Sequence, residues 1–348
     1  MATSVTPKPL PQRDLEHILD HTKVIWEQRE GERFFLTGGT GFFGRWLLES
    51  WAKVNDALSL GMEMTVLARD PDRFLASAPH LAKRKDLRFH IGDVKDFRFP
   101  EEPFDHIIHA ATTSARHIPA AETLDTILLG TRRVLDLAKQ CGARNLLFTS
   151  SGAVYGKQPV NLERIPEDYS GAPAIDSPAS AYGEGKRAAE LLGIVHSENA
   201  DFDFKIARCF AFVGPLLPLD SHFAIGNFIR DELNGSPIEI LSDRRVFRSY
   251  LYASDLAIWL WHILFQGKPS RPYNVGSSAP VTLPELARTI VDAGASKKRI
   301  QIIDESNSQT GTDQYVPDTL RAEKELDIQQ LISLRSAIEK TLTWHNRH

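Results

Sequence analysis

The stretch FFLTGGTGFFGRWLLESW, residues 34–51, decides how the rest of the chain is read. An apolar run with strand character ends at Thr37, and a run with helical apolar spacing opens after Gly41. Gly38, Gly41 and Gly44 recur at every third position of the join. In a strand–turn–helix each of these glycines serves a separate purpose. Gly38 permits a tight turn, Gly41 lets backbone amides approach a pyrophosphate, and Gly44 lets the helix pack close to the strand. The anion then sits at the positive end of the helix dipole. Thr40, Phe42 and Phe43 are read with the glycines as cofactor contacts. An ordinary connecting loop would use the same glycines, so the reading depends on the sequence downstream.

From residue 33 strand-like and helical patterns alternate. RFFLT, MEMTVLA, LRFHIG, FDHIIHAA, RNLLFTS and FKIARCFAFV read as strands. FFGRWLLESWAK, AETLDTILLGTRRVLDLAKQCG and the segment from about 179 to 197 read as helices. This alternation implies an α/β fold, a Rossmann-type doubly wound parallel sheet with helices on both faces. Ahead of it, residues 1–32 form an arm containing Pro7, Pro9 and Pro11, then a helix with Asp14 as N-cap and Gly31 as its stop. Leu15, Ile18, Leu19, Thr22, Ile25 and Trp26 make its apolar face, which is expected to pack on the outside of the next domain. Beyond Gly214 prolines are more frequent and elements shorter. Residues 33–213 are therefore read as the dinucleotide-binding domain, with some later segments returning to it. Residues 214–348 are read mainly as a smaller, interleaved substrate lobe.

Composition narrows the partners. The 348 residues are 42% hydrophobic and 25% charged, enough for a substantial core. A net charge of −4, with both signs mixed along the chain, gives no reason to expect nucleic acid. The longest uncharged apolar run, LAIWLWHILF from Leu256, is about half of the ~20 residues a membrane span needs. The N-terminal residues lack an apolar signal core, so no membrane partner is expected. Cys141 and Cys209 each lie in an apolar segment, which suits two buried thiols in a reducing compartment rather than a disulfide or metal site. A soluble, cytoplasmic protein without a bound metal is expected.

Three further segments support the dinucleotide reading. IGDVKD places Asp93, with Val94, after a strand where an adenine can be held. HAATTS puts the small residues Ala110 and Ala111 where a cofactor passes close to the backbone, and FTSSGAVYG brings Thr149 and Ser151 to the end of the fifth strand. Ligands of such sheets lie beyond the carboxyl ends of the strands. SAYGEGKRAAE then carries Tyr182 and Lys186 four residues apart, on one face of a helix. A phenol with its ordinary pKa of about 10 exchanges protons poorly near neutrality. A neighbouring ammonium is expected to lower it into the useful range, with Ser151 holding the substrate oxygen near Tyr182. Alone, Tyr-x-x-x-Lys is mostly coincidence on a solvated helix. Behind a glycine turn and a strand-end serine pair, Ser151, Tyr182 and Lys186 read as catalytic.

With TGGTGFFG, HAATTS, TSSGAVYG, YGEGK, RCFAFVGP, NFIRDELNGSPIEI, RSYLYASDLA and YNVGS in this order, the chain from about 33 to about 345 resembles the extended short-chain dehydrogenases/reductases. The resemblance is to their NAD-dependent epimerase/dehydratase group, which acts on nucleotide sugars. It implies a C-terminal lobe closing over a nucleotide-diphosphate sugar, and contact between Lys186 and the nicotinamide ribose. It further implies that Asn227 and Arg248 grip the diphosphate and the nucleotide. The planar fork of Arg248 suits phosphate oxygens, although a surface salt bridge is the plainer reading of that residue. Homodimers built on helices near 121–140 and 179–197 are also implied.

Departures from the family pattern carry information. Its 4,6-dehydratases and glucuronate decarboxylases place acidic residues after the hydroxyl corresponding to Ser151; this chain has Gly152 and Ala153. Elimination needs an acid to expel hydroxide and a base to take a carbon-bound proton, so it is disfavoured. Ala211 replaces an asparagine that often meets the sugar nucleotide, and residues 242–244 read SDR where GDG is usual. After the second strand, Ala68 stands where users of NAD carry an acid, and Arg69 matches a 2′-phosphate. Asp70 argues the other way, since it can reach a ribose hydroxyl. NADP(H) is favoured and NAD(H) is the alternative. The expected activity is reduction of a keto-sugar carried on a nucleotide, with Tyr182 as proton donor. The alternatives are an epimerase, less readily a 4,6-dehydratase, and a non-catalytic redox-sensing regulator. Retention of Ser151, Tyr182 and Lys186 together counts against the regulator.

Overall fold

The computed structural model describes residues 8–112, 118–221, 223–240, 245–294, 300–302 and 312–346. Six strands form in sequence: β1 (Arg33–Thr37), β2 (Glu63–Ala68), β3 (Leu87–Ile91), β4 (His106–His109), β5 (Asn145–Ser151) and β6 (Asp203–Cys209). A seventh, Pro272–Val275, returns from late in the chain to pair with β6. The spatial order is β3-β2-β1-β4-β5-β6 and then the late strand, with every pair parallel. The doubly wound parallel sheet is therefore present. Its order reverses between β1 and β4, which leaves a crevice at their carboxyl ends.

Side chains alternate across the sheet into two cores. Phe34, Leu36, Met64, Val66 and Ile108 enter one; Phe35, Leu67, Ile107 and Phe148 enter the other. On the first face lie α1 (Gln12–Trp26), α2 (Phe42–Leu58) and, from much later, α7 (Ala253–Gln266). On the second lie α4 (Ala120–Cys141) and α5 (Ala181–Ser197), packed along each other. A short α3 (Pro71–Ser77) follows β2. α7 is the apolar run LAIWLWHILF, buried almost all round, including Trp259 and Trp261. It is a core helix, as such uniform apolarity implies. No helix among the described residues is long and apolar enough to cross a membrane.

Outside the sheet are α6 (Ala224–Asn234), α8 (Leu283–Ala293), α9 (Leu320–Leu326) and α10 (Leu334–Asn346). There the strand Arg245–Arg248 lies between Val281–Thr282 and Thr312–Tyr315, with Tyr315 opposite Arg248.

α1 departs from expectation at its start. It opens at Gln12 behind Pro11, without a side-chain cap, so Asp14 is not the N-cap. The Asp14 carboxylate is buried instead, accepting from the Tyr252 hydroxyl (2.7 Å) and from Lys340 Nζ of α10 (2.6 Å). Alongside, Lys8 Nζ donates to the Trp344 carbonyl (3.1 Å) and Trp344 Nε1 to the Pro9 carbonyl (3.2 Å). A polar residue at a helix start was read as a local cap; its partners lie more than 200 positions away.

Candidate active site

The glycines of the turn divide into two kinds. Gly38 has φ +73°, and a Cβ there would lie 2.5 Å from the Ala110 carbonyl and 2.6 Å from the Ala111 nitrogen. Its bareness lets the turn close against the end of β4, where the Ala110 and Ala111 amides donate to the Thr37 carbonyl (3.2 Å) and Oγ1 (3.1 Å). At Gly44 a Cβ would run into the Gly38 carbonyl and Gly39 Cα, so close helix–strand packing requires glycine there too. Gly41 is exposed, has φ −86°, and would meet only the Gly38 carbonyl, at 3.4 Å. Packing does not demand glycine at 41. It is the N-cap of α2 and makes no side-chain cap, so the first amides of the helix open onto free space. That cradle fits a dinucleotide pyrophosphate. Thr40 is exposed beside it, while Phe42 and Phe43 are half-buried, Phe43 meeting Phe212 edge-on at 5.0 Å.

At the end of β2, Arg69 is exposed and forms no ion pair among the described residues. Asp70 caps α3, its Oδ1 accepting from the Arg73 amide at 3.0 Å. The carboxylate that argued for NAD(H) is thus engaged by its own helix. After β3, Asp93 Oδ1 holds the Lys95 amide (3.0 Å), while Val94 is buried under Gly130 of α4.

The three catalytic candidates converge at the carboxyl end of β5. Lys186 is buried, donates from Nζ to the Thr149 carbonyl (2.7 Å), and lies 4.7 Å from the Phe148 ring centre and 6.0 Å from that of Tyr182. Burial pushes its pKa down to about 8, so it is still charged at neutrality. His109 is hydrogen-bonded through Nδ1 to Thr37 Oγ1 (2.8 Å) and through Nε2 to Thr131 Oγ1 (3.1 Å). Burial, then the nearby Lys186, pushes it down to about 3, so the ring is neutral.

Tyr182 corrects one expectation. Its pKa is not lowered but pushed up to about 12 by burial, which the nearby hydroxyls of Ser151 and Thr112 only partly offset. The Lys186 ammonium, bonded to the Thr149 carbonyl and 6.0 Å from the ring centre, does not outweigh that burial. The phenol of the unliganded site is a neutral donor.

The strand-end serine pair also splits. Ser151 faces Tyr182, and its Oγ accepts from the Ala153 amide at 3.1 Å. Ser150 instead donates to Glu190 of α5 (2.5 Å), which is gripped by Arg208 (2.6 Å). Arg208 in turn donates to the Tyr155 hydroxyl (2.9 Å), which donates to Asn274 Oδ1 (2.7 Å). This buried chain fastens α5, and with it Tyr182 and Lys186, to β5, β6 and the late strand.

Sequence reading missed Tyr315. Its hydroxyl lies 2.7 Å from the position a Cβ on Gly152 would take; the Phe210 ring is equally close to that position and 4.6 Å from the Tyr315 ring. It faces Ser151, and burial raises its pKa. Nothing in DQYVPD marks this tyrosine, because strand pairing across 67 positions brings it in, opposite Arg248.

The two substrate candidates are already engaged. Asn227, its amide oriented to satisfy both neighbours, donates to the carbonyls of Leu219 and Ser221 (3.0 Å each) and so closes the preceding loop onto α6. Arg248 donates from Nη2 to Asp313 Oδ2 (2.7 Å) and from Nη1 to the Phe247 carbonyl (2.9 Å). The salt bridge weighed against the clamp exists, on the strand that carries Tyr315. Residues 242–244, and Thr113 and Ser114 of HAATTS, lie outside the described residues.

Comparison with known proteins agrees with this geometry. Curated relatives include UDP-glucuronic acid decarboxylase 6 of Arabidopsis thaliana, 29% identical over 345 residues covering 97% of this chain and 93% of the relative. UDP-glucuronic acid decarboxylase 1 of Danio rerio is 28% identical, covering 92% and 74%. Among solved structures, a UDP-N-acetylglucosamine 4-epimerase from Methanobrevibacter ruminantium superimposes with a TM-score of 0.76 at 20% identity, covering 91% of this chain and 98% of that one. A dTDP-glucose 4,6-dehydratase from Bacillus anthracis, in complex with NAD, gives 0.73 at 18% identity, covering 91% and 97%. The sequence profile of the NAD dependent epimerase/dehydratase family matches residues 34–276. The chain, with its switch-point cradle and the hydroxyl cluster at the end of β5, belongs to the NAD-dependent epimerase/dehydratase family.

Proposed function

We propose that this protein is an NAD(P)-dependent oxidoreductase that reduces a keto-sugar carried on a nucleoside diphosphate, with Tyr182 as proton donor. One observation carries the reading: Ser151, Tyr182 and Lys186 meet beside the glycine cradle, while positions 152 and 153 offer no acid. The place a side chain at 152 would fill holds a tyrosine hydroxyl and a phenyl ring. Elimination and decarboxylation chemistry built on acids at those two positions is therefore disfavoured, although the curated relatives above are decarboxylases.

The dinucleotide would lie with its pyrophosphate on the amides of Phe42 and Phe43, the Gly41 amide being bonded to the Gly38 carbonyl, with its adenosine between Arg69 and Asp93 and its ribose near Lys186. When bound, it supplies a hydride to the carbonyl carbon. Ser151 holds the carbonyl oxygen in place, and Tyr182 gives that oxygen its proton as negative charge develops there. The buried ammonium of Lys186 stabilises the phenolate left behind until a proton from solvent restores it. Exposed Arg69, with Asp70 committed to capping α3, supports NADP(H) over NAD(H).

A homodimer through α4 and α5 fits the same reading. Leu129, Leu191 and Val195 stand 50%, 62% and 52% exposed on those two helices. Sedimentation of a single species at monomer mass would discount it.

The activity is tested by incubating the protein with nucleotide sugars and their 4-keto derivatives. NADPH and NADH consumption is followed by absorbance, and products by mass spectrometry. Stoichiometric NADPH oxidation with a keto derivative is the expected result. An isomerised product without net cofactor consumption would assign an epimerase instead. No turnover of any substrate would return the regulator reading.

A further inference from the structure

Two side chains of opposite charge end at neighbouring residues of β5 without pairing. Lys186 and Glu190 are four residues apart on α5, the spacing that puts an ammonium and a carboxylate on one helix face. Lys186 Nζ donates to the Thr149 carbonyl at 2.7 Å, and Glu190 Oε1 accepts from the hydroxyl of the next residue, Ser150, at 2.5 Å. Both side chains are buried. Among the described residues the ion-pair partner of Glu190 is nevertheless Arg208 of β6. Its Nε donates to Oε1 at 3.0 Å and its Nη2 to Oε2 at 2.6 Å, the two-pronged grip of a guanidinium on a carboxylate. Nη1 is fixed in turn by the Tyr155 hydroxyl (2.9 Å) and the Glu167 carbonyl (3.2 Å), which hold the fork in this orientation.

We propose that Arg208 is a positioning residue for Lys186: by taking both oxygens of Glu190 it keeps that carboxylate off the ammonium. Lys186 then stays on the Thr149 carbonyl, and its remaining protons are left for the cofactor ribose and the phenolate of Tyr182. Without the guanidinium, the carboxylate one turn along the helix would be a stronger acceptor than any carbonyl. It would draw Nζ along β5 from Thr149 toward Ser150 and favour the charged form of the lysine. The groups that bear on Lys186 come from three elements. α5 carries Glu190 and, one turn the other way, Tyr182, whose ring centre is 6.0 Å from Nζ. β6 brings Cys209, a thiol held neutral by burial, and β4 brings His109, a neutral ring. Behind Arg208, burial keeps Tyr155 a neutral phenol, and the Glu167 carboxylate accepts from the Asn274 amide at 2.9 Å. The negative charge able to reach Lys186 is therefore that of Glu190, and Arg208 occupies it.

The proposal rests on Lys186 being the cofactor-side ammonium of the proposed reaction, but its test needs no turnover. The Lys186 titration is followed by NMR on the full-length protein labelled with ¹³C at lysine Cε, the signal being assigned by its loss in Lys186→Met. Arg208→Met is expected to raise the Lys186 pKa by ~1 unit or more, the shift an opposite charge at close range produces. In Arg208→Met/Glu190→Gln the titration is expected to return to that of the wild type. Dinucleotide affinity, measured by calorimetry, is expected to weaken in the single variant and to recover in the double. Should the unmatched buried carboxylate of Arg208→Met prevent folding, Arg208→Lys carries the test. A cation without the fork leaves one oxygen of Glu190 open, so a smaller rise in the same direction is expected. An unchanged or lowered titration overturns the proposal. So does a rise, or a loss of affinity, that persists when Glu190 is also replaced, since another group would then be acting on Lys186. If titration and affinity behave as expected but no nucleotide sugar is turned over, the positioning role stands and the assigned substrate fails.

Discussion

Lys186→Met should make the unliganded protein more stable while removing its function. The wild-type ammonium is about 1% exposed, and burial holds its pKa near 8 against an ordinary 10.5. At 1.36 kcal/mol per pKa unit, keeping the charge in place costs about 3 kcal/mol at neutral pH. Methionine fills a similar volume without charge. It gives up the hydrogen bond to the Thr149 carbonyl, worth about 1 kcal/mol, and the contact with Phe148. The net expectation is a gain of about 1–2 kcal/mol at pH 7. The sign with pH follows from linkage. The folded pKa lies below the unfolded one, so the unfolded chain binds more protons between pH 8 and 10.5, and wild-type stability rises across that window. The cost is full below pH 8 and fades above it, so the variant's advantage should shrink as the pH is raised. Urea unfolding of both proteins at pH 7 and pH 9.5, without cofactor, measures this. A variant less stable than wild type at pH 7, or an advantage that does not change with pH, would show that the buried ammonium is not strained.

Gly41→Val should fold normally, because a Cβ there meets nothing nearer than 3.4 Å, yet calorimetry should detect no dinucleotide binding. Gly44→Ala, which collides with the Gly38 backbone, should instead lose folded protein. Arg69→Ala should weaken NADPH far more than NADH, by the ~1.5–3 kcal/mol of a charge-assisted phosphate contact; equal small losses would leave Arg69 a plain surface charge. Tyr182→Phe should retain cofactor binding while turnover falls ~10²–10⁴-fold, and a wild-type rate would move the proton donor elsewhere.

What the sequence made legible was local in the chain. The glycine turn, the strand alternation and the Tyr-x-x-x-Lys spacing each sit within one strand–helix unit, where period and turn chemistry act directly. Asp14 failed as a cap because its carboxylate serves Tyr252 and Lys340. Asn227 and Arg248 were found at the expected places but turned toward Leu219, Ser221 and Asp313, choices that depend on how the late strands and loops close. Tyr315 could not be read at all, since only the pairing of two short strands carries it to Ser151. The phenol pKa was misjudged for a related reason. Four-residue spacing puts an ammonium on the same helix face, but it says nothing of how deeply both groups are buried, and burial decides the sign here.

The carboxylate shared by the first and last helices bears on when the protein can finish folding. During synthesis Asp14 is made more than 300 residues before Lys340, which neutralises it. Until then the charge that the finished molecule buries lacks its ammonium, and Tyr252 and α7, which α1 also meets, are made more than 200 residues after it. α1 can pack early on α2, but its burial is completed only with α7 and α10, a long-range closure of the kind that slows folding. Once α1 and α10 have docked, Lys8, Pro9 and Trp344 lie side by side. A short peptide joining the segments at Lys8 and Trp344, with new ends opened in an exposed loop, would turn this late step into an early one.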